Sequence, residues 1–79
     1  MYYTYVLKSV KNNKLYVGYS SNLKRRISEH NLGLVDSTRS GIPWSLEYYE
    51  ACCKIENAVK REKELKTGFG RAYLKRRLK

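Results

Sequence analysis

The chain has 79 residues and carries 17 Lys+Arg against 7 Asp+Glu, a formal net charge of +10. A chain this short is expected to make one domain that buries only roughly 60% of its unfolded surface, with room for one small core and one site. The charge favours a polyanionic partner, nucleic acid first, through counterion release and electrostatic steering; a solvated basic surface and an anionic membrane surface are the alternatives. No apolar run approaches the roughly 18 residues of a membrane-spanning helix, and the Tyr-rich start lacks the apolar core of a signal peptide. The chain therefore reads as cytoplasmic with no membrane partner. Cys52 and Cys53 are adjacent and His30 is the sole histidine, so no zinc set is available.

The first expected element is a strand over residues 2–10, with Tyr3, Tyr5 and Leu7 on one face and Thr4, Val6 and Val10 mostly on the other. Lys11-Asn12-Asn13-Lys14 turns the chain, since Asn tolerates the positive φ of a tight hairpin, and Leu15-Tyr16-Val17-Gly18 returns it. An even loop puts Tyr5 and Tyr16 on the same face. A two-residue loop at Asn12-Asn13 offsets them by four residues, about 13 Å at ~3.4 Å per residue, so a shared site calls for a loop centred earlier or for a bulge. Gly18 either leaves room on the face of Tyr16 for substrate or helix, or marks a bulge at the strand's end.

Ser20-Ser21-Asn22 offers capping oxygens for a helix from Leu23 to Asn31, ending near Gly33. Leu23 and Ile27 point inward, Arg26 and His30 lie beside that stripe, and Lys24, Arg25 and Glu29 are free to face water. Arg26 is thus held at the core edge, with snorkelling and a helix-capping His30 as the plain alternative. Residues 33–43 form a long polar loop that is a candidate substrate contact, with Arg39 in reach of phosphate, or a solvated connection. A third strand runs from Trp44 to Cys52, with Leu46 and Tyr48 set against Glu47 and Tyr49.

The next helix, Ile55 to Lys66, carries Ile55, Ala58, Val59 and Leu65 on one stripe, and Glu62 occupies a position of that stripe where a hydrophobe belongs. Burying an unpaired carboxylate costs several kcal/mol, so Glu62 needs a metal or a cation such as Arg26. Thr67-Gly68-Phe69-Gly70 breaks the helix. Another spans Arg71 to Lys79 with Leu74 and Leu78 inward and Arg71, Lys75, Arg76 and Arg77 outward, a phosphate-binding face or a solubilising end. The order β-β-α-β-α-α predicts a single α+β domain over 1–79, a small three-stranded, mainly antiparallel sheet flanked by helices.

Phosphodiester hydrolysis needs an activated water, a cation for charge building on phosphate, and help for the leaving oxygen. Glu62 suits one Mg²⁺ or Mn²⁺, which often takes only one or two protein carboxylates. Arg26 suits phosphate oxygens, and Tyr5, Tyr16 and His30 remain to position or deprotonate water. These five are expected around one concave, positive surface. Arg25, Arg39, Arg71, Lys75, Arg76 and Arg77 are the expected nucleic-acid contacts.

Tyr3-Thr4-Tyr5, then Tyr16-Val17-Gly18, then Leu23, Arg26 and His30, resembles the first half of the GIY-YIG nuclease family. Arg61-Glu62-Lys63-Glu64-Leu65-Lys66 is similar to the part of that family that supplies a metal-binding glutamate. The match spans nearly the whole chain and is nearest the small, stand-alone branch. The resemblance implies that Tyr5 and Tyr16 are the motif tyrosines, Arg26 the catalytic arginine, His30 the partner on the same helix, and Glu62 the ligand of a divalent metal. Two positions depart from it: Tyr19 stands where several relatives carry lysine, and Leu74 where many carry asparagine. The expected activity is a metal-dependent endonuclease, DNA favoured over RNA and monomer favoured. A nuclease-like binder without turnover and a basic structural protein of a ribonucleoprotein are the alternatives.

Overall fold

The computed structural model describes residues 1–78. Strand β1 (Tyr2–Ser9) pairs antiparallel with β2 (Leu15–Ser20) on one side and with β3 (Trp44–Cys52) on the other, giving the order β2-β1-β3. Helix α1 (Leu23–Asn31) follows β2, and a 3₁₀ helix (Asp36–Gly41) leads into β3. Helices α2 (Ile55–Leu65) and α3 (Gly68–Arg77) close the chain. The α+β order expected from the sequence is the one observed.

Thr4, Tyr5, Val6 and Leu7 are all buried in succession, because helices cover both faces of the central strand. On one face Tyr5, Leu7 and Trp44 pack with Leu23 and Ile27 of α1. On the other, Val6 and Val17 pack with Leu65 of α2 and Leu74 of α3. Leu65 and Leu74 are each 1% exposed, and truncating either to alanine costs about 2–5 kcal/mol. Gly70 lets α3 cross α2 closely, since a Cβ there would lie 2.2 Å from the carbonyl oxygen of Glu64. The Thr4 hydroxyl donates to the Ala58 carbonyl at 3.0 Å and ties α2 to the central strand.

A polar cluster ties β3 to both helices. Arg61 Nε donates to both Glu50 oxygens at 2.9 and 3.0 Å, Tyr48 donates to the same carboxylate, and Arg61 lies 5.1 Å from the centre of the Tyr73 ring. Burial pushes the Glu50 carboxyl up, but Arg61 and Tyr48 outweigh it and hold the group below the usual carboxylate range.

Several local expectations change. Val10 is exposed and follows β1, which ends at Ser9. Register between β1 and β3 shifts by one residue between Val6 and Leu7, leaving Glu47 without a partner, so Leu46 and Tyr48 turn to opposite faces. Thr67 does not simply break a helix: its hydroxyl accepts from Gly70 N–H and caps α3, which starts at Gly68. The Lys79 end of the expected last helix lies outside the described residues. Finally, the 33–43 stretch is built into the fold. Trp44 Nε1 donates to the Thr38 carbonyl at 2.7 Å, the Ser9 hydroxyl donates to that of Gly41, and the Asn31 amide clasps the Trp44 backbone.

Candidate active site

The hairpin register brings the two tyrosines together. Tyr5 pairs with Gly18 and Leu7 with Tyr16, so the tyrosines sit two residues apart on adjacent strands, with ring centres 6.4 Å apart. The turn is centred one residue earlier than Asn12-Asn13 would put it, with Ser9 N–H donating to the Lys14 carbonyl and Asn13 at φ 63°. Gly18 lies in unbroken register, so it marks no bulge. A Cβ on Gly18 would stand 2.6 Å from Tyr5 Oη, 2.8 Å from its Cζ and 3.0 Å from Tyr16 Cε2. The space that glycine leaves is filled by the Tyr5 ring, which lies across β2 toward the sheet edge.

Asn22 caps α1 by accepting from Arg25 N–H at 3.0 Å, which sets the helix phase. One turn apart, Arg26 and His30 then point toward the tyrosines. His30 is 0% exposed, and its ring lies 5.0 Å from that of Tyr16. Its Nε2 is 2.8 Å from Tyr5 Oη and its Nδ1 is 2.7 Å from Thr38 Oγ1. Thr38 in turn donates to the Val35 carbonyl at 3.3 Å. A hydroxyl has one proton, so Thr38 accepts from Nδ1–H, and Nε2 is left to accept from Tyr5. Burial, then the charge of Arg26, holds His30 below its usual range, in the neutral form this chain of bonds requires. Burial pushes the Tyr5 hydroxyl up to about 12, against the pull of Arg26.

Above the tyrosines lies a cleft of about 410 Å³, bordered by Tyr5, Tyr16, Gly18, Arg26, Glu29 and Glu62, with Arg25 and Tyr19 at its rim. Arg26 donates from Nη1 to Glu29 at 3.1 Å, and Arg25 Nε stands 3.9 Å from the same carboxylate. Glu29, expected in water, is thus part of the site. Glu62 reaches the cleft from α2, on the opposite face of the sheet, past the open edge of β2. Its side chain is 15% exposed and its ionic partner is Lys66, one turn on, rather than Arg26. Two arginines and two glutamates line the cleft, so its lining is balanced in charge rather than positive as expected.

The structure therefore brings Tyr5, Tyr16, Arg25, Arg26 and Glu62 to one cleft and puts His30 directly beneath, in contact with Tyr5 but out of reach of solvent. Arg39 is not brought there: it pairs with Asp36 and donates to the Gly33 carbonyl. Arg71 and Lys75 border a different cleft, on the α3 side of β2. Arg77 rests on the Tyr73 ring at 5.9 Å, and Arg76 is exposed. Thr38 was not singled out by sequence, and no local pattern marks it, since its contact with His30 depends on how the 3₁₀ helix docks. Tyr19 takes the lysine position of the resemblance at the cleft rim, while Leu74, at the asparagine position, is a core residue.

No group of three or more His, Cys, Asp or Glu among the described residues is arranged to hold a metal ion. The donor chemistry still suits a hard, largely hydrated cation, because Glu62 offers one carboxylate and its partner Lys66 is 51% exposed and free to swing away.

A family model described as the GIY-YIG catalytic domain matches residues 1–77. UPF0213 protein SH2523 of Staphylococcus haemolyticus is 39% identical over 67 residues, covering 84% of this chain and 80% of that protein. UPF0213 protein SpyM3_1077 of Streptococcus pyogenes serotype M3 is 43% identical over 61 residues, covering 76% of this chain but only 65% of the streptococcal one. No solved structure matches the chain.

Proposed function

Because this chain belongs to the GIY-YIG catalytic domain family, we propose that it is a divalent-metal-dependent endonuclease that hydrolyses phosphodiester bonds, in DNA ahead of RNA. The observation that carries this reading is the convergence of two tyrosines, an arginine and a half-buried glutamate on one cleft, from both faces of the sheet.

Arg26 holds the scissile phosphate. Glu29 occupies only part of its guanidinium, and the remaining donors of the planar fork suit non-bridging oxygens. Tyr16 orients the attacking water. Tyr5 takes the water's proton at Oη while its own proton passes to His30 Nε2, so no free phenolate has to form at a hydroxyl pushed up to about 12. The water oxygen bonds to phosphorus, the bridging P–O bond breaks, and the leaving oxygen takes a proton from solvent. His30, whose charged form is disfavoured by burial and Arg26, returns its extra proton through Tyr5 Oη to solvent. His30 and Thr38 are positioning residues that act through Tyr5. Glu62 would hold the Mg²⁺ or Mn²⁺, which supplies positive charge to the phosphate when bound.

Binding without turnover is the second reading, favoured by Leu74, which is buried in the core where many relatives of the resemblance carry asparagine. Glu62→Gln separates the two. For a nuclease, metal-dependent cleavage should fall by about 10²-fold or more, the scale of losing a major electrostatic stabiliser, and substrate binding should hold or tighten. Its melting temperature should barely move, since a one-turn pair with an exposed lysine contributes about 0.3–0.5 kcal/mol. Unchanged specific activity with a large loss of stability would refute the role given to Glu62.

A further inference from the structure

The catalytic cleft has a larger neighbour. On the α3 side of β2 lies a cleft of about 810 Å³, and Tyr16 borders both. Its rim carries five cations, Lys8, Lys14, Lys66, Arg71 and Lys75, and no acidic residue among those described. Four of the five, all but Lys66, make no salt bridge among the described residues. Its floor is apolar: Val17, Leu65 and Leu74 from the core, extended outward by Leu15 and Leu78. Leu15 is 45% exposed, on an edge strand where a hydrophobe in water is unfavourable.

A cationic rim around an apolar floor matches a ligand that is anionic along its length and apolar in its side groups. Double-stranded nucleic acid meets only half of that description, because pairing and stacking bury the faces of its bases. An unpaired strand meets both halves: phosphates for the lysines, and base faces for the leucines. Resting on the nuclease reading of the adjoining cleft, we infer that this groove holds a single-stranded flank of the substrate and leads it past Tyr16 to the scissile phosphate. The substrate class is then a junction between paired and unpaired nucleic acid. Lys66 lies between the two clefts, on the rim of one and paired with Glu62 of the other, so a phosphate drawing Lys66 into the groove would leave the Glu62 carboxylate open.

The test is binding by Glu62→Gln protein, read by fluorescence anisotropy, of a blunt duplex and of the same duplex with a short unpaired overhang. The overhang should improve affinity by about tenfold or more, on the scale of stacking one base or more on the protein. Lys14→Glu with Lys75→Glu, both exposed, should erase that preference. Lys60→Glu with Lys63→Glu, the same charge change on the far side of α2, should lower overall affinity and keep it. A photoreactive base in the overhang should crosslink within 14–17 or 71–78.

Equal binding of the two DNAs, equal loss of preference in both double variants, or crosslinks elsewhere would each overturn the assignment. So would a polyglutamate peptide that displaces the overhang duplex as well as a free single strand does, because the groove would then be a general acidic-ligand site. Cleavage by the unmodified protein separates this inference from its premise. Cutting without overhang preference sinks the groove alone, whereas overhang preference without cutting in any divalent metal sinks the nuclease reading alone.

Discussion

Replacing Gly18 by alanine adds one methyl group at the point where the tyrosines meet. The added Cβ would stand 2.6 Å from Tyr5 Oη, where ordinary contact begins at 3.4 Å, so the ring must retreat by roughly 0.8 Å. It cannot do so freely, because Oη is held by His30 at 2.8 Å and the ring is 1% exposed. Overpacking of this kind costs about 1–3 kcal/mol, or a melting-temperature loss of about 4–8 °C per kcal/mol in a domain of this size. A displacement near 1 Å in a catalytic constellation can cost about 10² in rate. Cleavage should therefore fall about 10²-fold at temperatures where the variant remains folded. Gly68→Ala is the control. Nothing lies within 4 Å of its Cβ, it opens α3, and it should leave activity unchanged and stability equal or up to about 1 kcal/mol higher. Circular dichroism melts and initial cleavage rates of the three proteins decide the matter. A folded Gly18→Ala protein that cleaves within about threefold of the original would refute the link between Gly18, the Tyr5 position and catalysis.

His30 is neutral in its buried site and held below its usual range, so the unfolded chain takes up its proton first as pH falls. Stability should decline on acidification from about pH 6.5 downward, and Glu50, also held low, should add to the loss at more acid pH; urea titrations across pH measure both. His30→Gln should remove the upper part of that decline and also shift the acid limb of the cleavage profile, which a purely structural role for His30 would leave in place. Changing Arg76 and Arg77 to alanine should weaken duplex binding and flatten its log–log salt dependence by about 0.9 for each phosphate the protein no longer neutralises, with the cleavage rate at saturating substrate unchanged. An unaltered slope in an anisotropy titration would remove both residues from the interface.

The order of elements was legible from the chain because each carries its own period. Alternation in Tyr3–Leu7, capping oxygens before Leu23, and the placing of Ala58 and Val59 three and four residues after Ile55 are local signals, and the elements formed where those signals lie. Glu62 was legible for the same reason, as a carboxylate interrupting an apolar stripe. Its partner Lys66 is a local i,i+4 neighbour that the sequence also offers, whereas Arg26, the cation expected for it, lies on α1 and pairs with Glu29. The register that unites Tyr5 and Tyr16 depended on where a short turn is centred, a choice of one residue that composition leaves open. Most dependent on tertiary structure were the buried partners of Tyr5. The burial of His30, its tautomer, and the hydroxyl of Thr38 behind it follow from the docking of a 3₁₀ helix whose sequence reads as a polar loop. Periodicity reports which side of an element is apolar; which distant element comes to lie against it is decided by the closing of the core around β1.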